Sequence, residues 1–491
     1  MTSHSSNPAK VMRLGSGVAA ASVLVFALSG CLAVPKVGEP AQRMQVSQLE
    51  SDRSLAAAPA PWPTEKWWER YGDPQLTSLI EQGIAGSPTV SQAEARLREA
   101  DALADRARAN TGPQLTANAS VQLMKQSYNN GIPAAFVPHG YNDYGQATLN
   151  FIYDFDFWGR NRAAVAAATS EARASSADVA ASRMVLAASI ADAYGELSRL
   201  FAARDIAAEA LKVREQSAEL VRQRVTNGLE TLQSERQAGA EVPAARHAVT
   251  ALDEQIGLTR NRIAALVGTG PDRGLDIQRP PRPLSAPFGL PQNLAAELLG
   301  RRPDIAAARW RAEAATSRVG VARAAFYPNV NLTAFIGFQA LGLANLLRPG
   351  SNVGSAGPAI SLPIFDAGRI RADYRGARAE ADAAVDAYNE ALVEALHQVA
   401  DAATSERTLA TRIKDAGQSL AQSEDAYRLA KLRYQGQLSN YLTVLDAEDR
   451  VLTARRSLSD LEARAFTLDV ALVRALGGGF SPNTRSDGTH Q

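Results

Sequence analysis

Two stretches of this chain are copies of one another, and that duplication restricts the possible folds more than any other feature. Pro88 and Pro113 stand 25 residues apart, as do Pro303 and Pro328, with Arg96 matching Arg311 at an offset of 215. Further on, Phe155-Asp156-Phe157-Trp158-Gly159-Arg160 resembles Phe365-Asp366-Ala367-Gly368-Arg369, now with the glycines 209 residues apart. The same offset of 209 relates Arg224 to Arg433, Leu229 to Leu438 and Gly268 to Gly477. Agreement at separated places makes residues 74–268 and 291–477 two versions of one unit. The Pro/Gly-rich stretch 269–290 joins them, with an extension at 31–73 before and a tail at 478–491 after.

Each unit reads helix, strand, strand, long helix, helix. Strands are expected near 114–124, 144–157, 329–340 and 354–365. In the first, Leu115, Ala117, Ala119, Val121 and Leu123 alternate with Gln114, Thr116, Asn118, Ser120 and Gln122. The second alternates through Ala147, Leu149, Phe151, Tyr153 and Phe155, broken only at Ile152, while Val330, Leu332, Ala334, Ile336, Ile360, Leu362 and Ile364 repeat the pattern less cleanly. A period of two gives one apolar and one polar face. A soluble half-buried sheet would alternate too, but the length matches the roughly 9–11 residues of a tilted membrane strand. Gln, Asn, Ser and Thr on the polar face suit a water-filled lumen. Two units supply four such strands, too few to close a barrel, so the open edges must pair with other chains.

The helical runs carry a length argument. Arg160–Thr226 and Arg369–Gln435 each contain 67 residues without proline, roughly 100 Å at about 1.5 Å per residue. The flanking runs Pro88–Gly112 and Leu229–Val267 hold 25 and 39 residues, so end to end they reach roughly 96 Å and can run beside the long one. Frequent alanine permits close helix approach. Gly228 and Gly436 are expected to end the long helices as C-caps, and Gly159 and Gly368 to make the strand-to-helix turns. A soluble coiled coil would also show such helices, but it leaves the strands unexplained.

The N-terminus reads as a processing signal. Lys10 and Arg13 precede an uncharged apolar run from Leu14 to Ala27, then Leu28-Ser29-Gly30-Cys31. Those four residues match a bacterial lipobox, which makes 1–30 a signal peptide and Cys31, the single cysteine, the lipidated residue. An ordinary signal peptide or a lone membrane helix is the plainer alternative. Several acyl chains on one residue anchor durably, each buried CH₂ being worth about 0.8 kcal/mol. Leu32 is not the aspartate that retains lipoproteins in the inner membrane, so the expected destination is the outer membrane. No later run of apolar residues is long enough for a membrane helix. One cysteine and five scattered histidines argue against disulfides, a zinc site or a histidine-based catalytic centre. No nucleophile, metal or phosphate-binding motif occurs, so neither catalytic residues nor cofactors are expected. With 52 basic and 51 acidic residues, no charge excess points to nucleic acid.

Taken in order, Trp67-Trp68, Asp73-Pro74, Leu76, Arg302-Pro303-Asp304-Ile305, Phe326-Tyr327-Pro328, Leu362-Pro363-Ile364-Phe365-Asp366-Ala367-Gly368, Leu442-Thr443-Val444-Leu445-Asp446-Ala447 and Ala475-Leu476-Gly477-Gly478-Gly479 resemble the TolC/OprM family of outer-membrane efflux ducts, in its lipoprotein (NodT-like) branch. The resemblance implies an α+β membrane protein and a homotrimer. It implies a 12-stranded outer-membrane β-barrel continued by a 12-helix periplasmic α-barrel. It also implies a periplasmic adaptor (membrane-fusion) protein and an inner-membrane resistance-nodulation-division pump as partners, with passive conduction of small molecules such as drugs. The adaptor would dock on hairpin tips at Asn227, Gly228, Leu229, Tyr434, Gly436 and Leu438. Tyr434 corresponds to a tip tyrosine that latches neighbouring coils, with Glu230 as a candidate partner.

By position in the family, Leu442, Asp446 and Asp449 would form the periplasmic gate, and their spacing puts them on one helix face. Three chains would present rings of leucine and carboxylate. Related lipoprotein ducts tend to carry arginine where this chain has Asp449, and Arg450 is the candidate to balance it. The first unit has Gln233, Gln237 and Ala240 at the equivalent places. Type I protein secretion, export of metals or nodulation factors, and a poreless structural lipoprotein are the competing functions.

Overall fold

The computed structural model describes residues 34–45, 48–50, 53–56, 58–281, 289–291 and 294–481. Cys31 with its signal, part of the linker and the end of the tail lie outside the described residues. The elements run α1 (Pro74–Gly86), α2 (Pro88–Ala109), β1 (Gln114–Met124), β2 (Asn142–Asp154), α3 (Arg160–Thr226), α4 (Leu232–Val267), then α5 (Leu294–Arg301), α6 (Pro303–Ala324), β3 (Asn329–Leu341), β4 (Asn352–Ser361), α7 (Arg369–Gln435) and α8 (Tyr441–Ala475). The same order of elements thus occurs twice, and both long helices have 67 residues. No described helix is long and apolar enough to cross a membrane. The chain divides into two compact units.

One unit comprises 98–173, 309–387 and the described residues up to Gln42. It holds a single antiparallel sheet in the order β1-β2-β3-β4. The register explains the alternation. Leu115 lies opposite Phe151, and Ala117 opposite Leu149. Across the next ladder Leu149 meets Ile336 and Phe151 meets Ala334. The intervening Thr116–Asn150 and Asn118–Thr148 pairs fall on the other face. A slip of one residue would mix the faces, so the apolar pattern specifies the register. The apolar face is uncovered in the single chain: Leu115, Val121, Leu123, Ile336 and Ile360 are all exposed. Among the described residues β1 and β4 each pair with one neighbour only. β4 also contains Pro358, which is tolerated on an edge strand because it removes a ladder donor.

Two strands stop earlier than the alternation predicts. β2 ends at Asp154, whose Oδ1 accepts the N–H of Asp156 at 3.0 Å and turns the chain. β4 ends at Ser361, so Leu362 and Ile364 leave the ladder on either side of Pro363. The turns that follow are built alike. Gly159 and Gly368 precede α3 and α7 with φ of +75° and +86°, a conformation costly for other residues. Asp156 then accepts the N–H groups of Asn161 and Arg162. Asp366 accepts those of Gly368 and Ile370. Each carboxylate thus satisfies donors that a helix start leaves free.

The second unit comprises 43–97, 174–308 and 388–481 among the described residues. Its main core joins Leu76, Leu79 and Ile80 to Ile190, Tyr194, Leu197, Phe466 and Val470. Each such side chain contributes roughly 1.5–3 kcal/mol on burial. Asp73 caps α1 through the N–H groups of Gln75 and Leu76, and its other oxygen accepts the Tyr194 hydroxyl at 2.6 Å. Buried Trp67 and Trp68 pack edge to face just before that cap. Arg302, between α5 and α6, is buried and ties together three segments: it donates to Asp304 at the start of α6, to Gln398 of α7 and to the Ala475 carbonyl of α8. Those contacts account for an arginine in the Arg302-Pro303-Asp304-Ile305 run.

Candidate functional site at the hairpin tips

The far ends of the helical hairpins lie in the second unit. After α3 the N–H of Leu229 bonds to the Arg224 carbonyl and that of Gly228 to Val225, the double closure of a Schellman turn. Gly228 supplies the left-handed φ of +72°. After α7 the same pair of bonds runs from Leu438 to Arg433 and from Gln437 to Tyr434. The left-handed residue is therefore Gln437, at φ +64°, and not the expected Gly436. Gly436 still makes a helical bond to Leu432. Gln437 occupies the position that the 209-residue offset assigns to Gly228. Thr231 and Asn440 then cap the returning helices through the N–H groups of Ser234 and Thr443.

A small core fastens the two tips together. It contains Val221, Ala238, Tyr434, Tyr441, Val444 and Leu445. The Tyr434 hydroxyl donates to Glu230 at 3.1 Å, and the Arg224 guanidinium lies 4.6 Å from the centre of its ring. Burial, reinforced by the bond to Glu230, pushes the Tyr434 phenol up to about 12. Within one chain Tyr434 therefore joins the second hairpin to the first. Outside this core Leu229 and Leu438 are exposed.

Leu442, Asp446 and Asp449 are exposed on one face of α8, as the i, i+4, i+7 spacing requires. Their electrostatic surroundings differ. The Asp446 carboxylate has no hydrogen bond or ion pair with another described residue. Asp449 accepts from Nη2 of Arg214 on α3 at 2.6 Å. Arg214 is only 12% exposed and is the hub of a network, with Nη1 on Glu241 of α4 and Nε 3.4 Å from Glu448 Oε1. The cation that balances Asp449 is thus Arg214. Arg450 is exposed and pairs with no described residue.

Glu448 is the unusual member of this network. Its side chain is 5% exposed, and Oε2 is buried without a hydrogen-bond partner. Burial holds its carboxyl above the ordinary glutamate value; Arg214 opposes that, and Asp449 and Glu241 add to it. Neither Arg214 nor Glu448 stands out in sequence, because both lie on long polar helices and meet across 234 residues. On the first hairpin Gln233, Gln237 and Ala240 are exposed and uncharged.

Among the described residues, an antiparallel sheet with two unpaired edges and an exposed apolar face is joined in one chain to paired long helices, an arrangement that suits a membrane channel protein. The chain belongs to the outer membrane efflux protein family, whose profile matches residues 79–269 and 294–478. It is similar to the multidrug resistance outer membrane protein MdtP of Escherichia coli K12, 31% identical over 467 residues that cover 92% of this chain and 94% of MdtP. The fusaric acid resistance protein FusA of Burkholderia cepacia is 36% identical over 371 residues, 74% of this chain and 70% of FusA. The crystal structure of the outer membrane protein VceC from Vibrio cholerae superposes with a TM-score of 0.81 at 47% identity, over 86% of this chain and all of that one. The protein is therefore an outer-membrane efflux duct, of a family that transports and does not catalyse.

Proposed function

We propose that three copies of this chain form the exit duct of a tripartite efflux system driven by a resistance-nodulation-division pump. The observation that carries this reading is the four-stranded sheet whose two edges are unpaired among the described residues and whose apolar face is exposed. Lipid does not tolerate open edges, so the sheet must continue into other copies until it closes. Three copies make a barrel of twelve strands. The helical hairpins then form the periplasmic tunnel, and a periplasmic adaptor docks at the exposed tip residues Asn227, Gly228, Leu229, Gly436 and Leu438. Acylated Cys31 adds a tether to the outer membrane. The names of MdtP and FusA support small organic toxicants as the solutes.

The duct closes at the tips of the second hairpins. Leu442 forms an apolar ring that resists wetting, and Asp446 forms a ring of unpaired carboxylates that attracts cations. Asp449 is turned into a structural anchor by Arg214, which leaves Asp446 as the free charge on this face. The test is single-channel conductance of the purified protein in planar bilayers. Asp446→Ala should change conductance and lower cation preference. Unchanged conductance would reject the gate, and absence of any conductance from the wild-type protein would reject the duct. Deletion of the gene, followed by drug-sensitivity and protein-secretion measurements, separates small-molecule efflux from type I secretion.

A further inference from the structure

The unit that contains the sheet carries a charge asymmetry that conduction does not explain. Within 14 residues of the strand ends on the helix side, at 100–113, 155–168, 315–328 and 362–375, the chain has nine arginines, no lysine, no glutamate and five aspartates. The loops at the opposite ends of the strands, 125–141 and 342–351, contain only Lys125 and Arg348 and no acid. Several aspartates on the helix side are committed locally. Asp156 and Asp366 accept backbone N–H groups at the starts of α3 and α7. The N–H of Ile370, with help from that of Gly368, holds the Asp366 carboxyl below its ordinary range, so it stays ionised and engaged with the helix. By contrast Arg106, Arg323, Arg371 and Arg375 are exposed, and their side chains make no ion pair or hydrogen bond with any described residue.

Aromatic rings accompany these arginines. Phe157, Trp158 and Phe365 are 64%, 51% and 89% exposed, immediately beyond the ends of β2 and β4. Trp158 is held in place: it stacks on Tyr327 at 4.5 Å, and its indole N–H donates to the Pro328 carbonyl at 2.8 Å. A notch of about 260 Å³ opens there, with Trp158, Tyr327, Arg160 and Arg369 among its walls. Amphipathic rings favour the boundary between hydrocarbon and headgroups. Guanidinium groups bind phosphate through two parallel hydrogen bonds, and clustered arginines at a membrane surface select anionic lipid.

We propose that this arginine collar binds the headgroups of anionic phospholipids in the periplasmic leaflet of the outer membrane, and so sets the depth at which the strands sit. The proposal rests on the reading of the strands as membrane-spanning. It assigns the four unpaired arginines to lipid phosphate and the exposed rings to the layer just above. Salt should screen the attraction, since it acts between exposed charges.

The experiment reconstitutes the full acylated protein into phosphatidylcholine vesicles doped with phosphatidylglycerol. The protein is extracted with its lipid shell in a polymer disc, and the retained lipids are measured by mass spectrometry. Phosphatidylglycerol should be enriched over the bulk. That enrichment should vanish in molar salt and in the Arg106→Gln/Arg323→Gln/Arg371→Gln/Arg375→Gln variant. It should persist when the same charge is removed elsewhere, in Arg412→Gln/Lys414→Gln/Lys431→Gln/Arg456→Gln. Bulk composition around the wild-type protein, or enrichment indifferent to salt, overturns the proposal even if the collar variant fails to fold. A collar variant that separates into single chains while its lipid shell is unchanged also overturns it, and assigns the arginines to contacts between copies. Failure of the wild-type protein to conduct in pure phosphatidylcholine would instead reject the duct reading, and the two failures are read separately.

Discussion

Arg214→Gln is the substitution that tests the tip network most sharply. It removes the one guanidinium that touches Glu241, Glu448 and Asp449. Glu241 and Asp449 are 37% and 66% exposed, so water can replace the arginine there at little cost. Glu448, at 5% exposure, keeps its desolvation penalty and loses its one side-chain hydrogen-bond partner among the described residues. Breaking a buried pair in this way costs about 3–5 kcal/mol. At about 1.4 kcal/mol per tenfold, local opening of the tip becomes roughly a hundredfold or more easier. The pH dependence has a definite sign. Burial already holds the folded Glu448 above its unfolded value of 4.5, and the charge of Arg214 opposes that shift. Removing Arg214 therefore raises the folded value further. An acid with a raised folded value contributes stability below its unfolded value and loses it as pH rises through the folded value. The deficit of the variant should be small at acid pH and grow from about 4.5 upward. Amide hydrogen exchange over 441–451, corrected for intrinsic rates, reads it directly. Adding Glu448→Gln should restore most of the protection at neutral pH. Unchanged protection at neutral pH, or a loss equal at all pH values, would refute the assignment of a buried charge to Glu448.

Other contacts lead to further expected outcomes. Gln437→Gly removes a left-handed residue at φ +64° that costs roughly 1–2 kcal/mol in other than glycine; the second tip should gain protection from exchange, and a loss would contradict the Schellman geometry. Tyr434→Phe deletes the bond to Glu230, worth about 1.5–3 kcal/mol for a charged acceptor; it should loosen the junction of the hairpins and raise conductance. Glu406 is pushed up to about 7 by burial and then by Asp469, so its contribution is present below pH 4.5 and lost through pH 7. Glu406→Gln should flatten thermal stability across that window, and an unaltered profile would show that Glu406 does not titrate there. Gly195→Ala places a methyl 2.6 Å from Phe466, and overpacking of about 1–3 kcal/mol should lower the melting temperature.

Local chemistry made the secondary elements legible. Period-two alternation, proline-free alanine-rich runs and the glycines at 159, 228 and 368 depend only on neighbours along the chain. The boundaries at Asp154 and Ser361 were less legible, because a side-chain turn and a proline end those strands before the alternation fades. The cap at Gln437 was misleading for a related reason. Glycine marks such positions by being cheap there, but the hydrogen-bond pattern places them, and here it places the cap one residue beyond Gly436.

The sequence by itself determined that four amphipathic strands and two pairs of long helices would form, that four strands are too few to close a barrel, and that Leu442, Asp446 and Asp449 would share a helix face. Only the tertiary structure decided which of those carboxylates is free. Arg214 reaches Asp449 across 235 residues and Tyr434 reaches Glu230 across 204. Neither partnership has a local signature, because a charge on a long helix reads as solvated until packing of another helix removes the water around it.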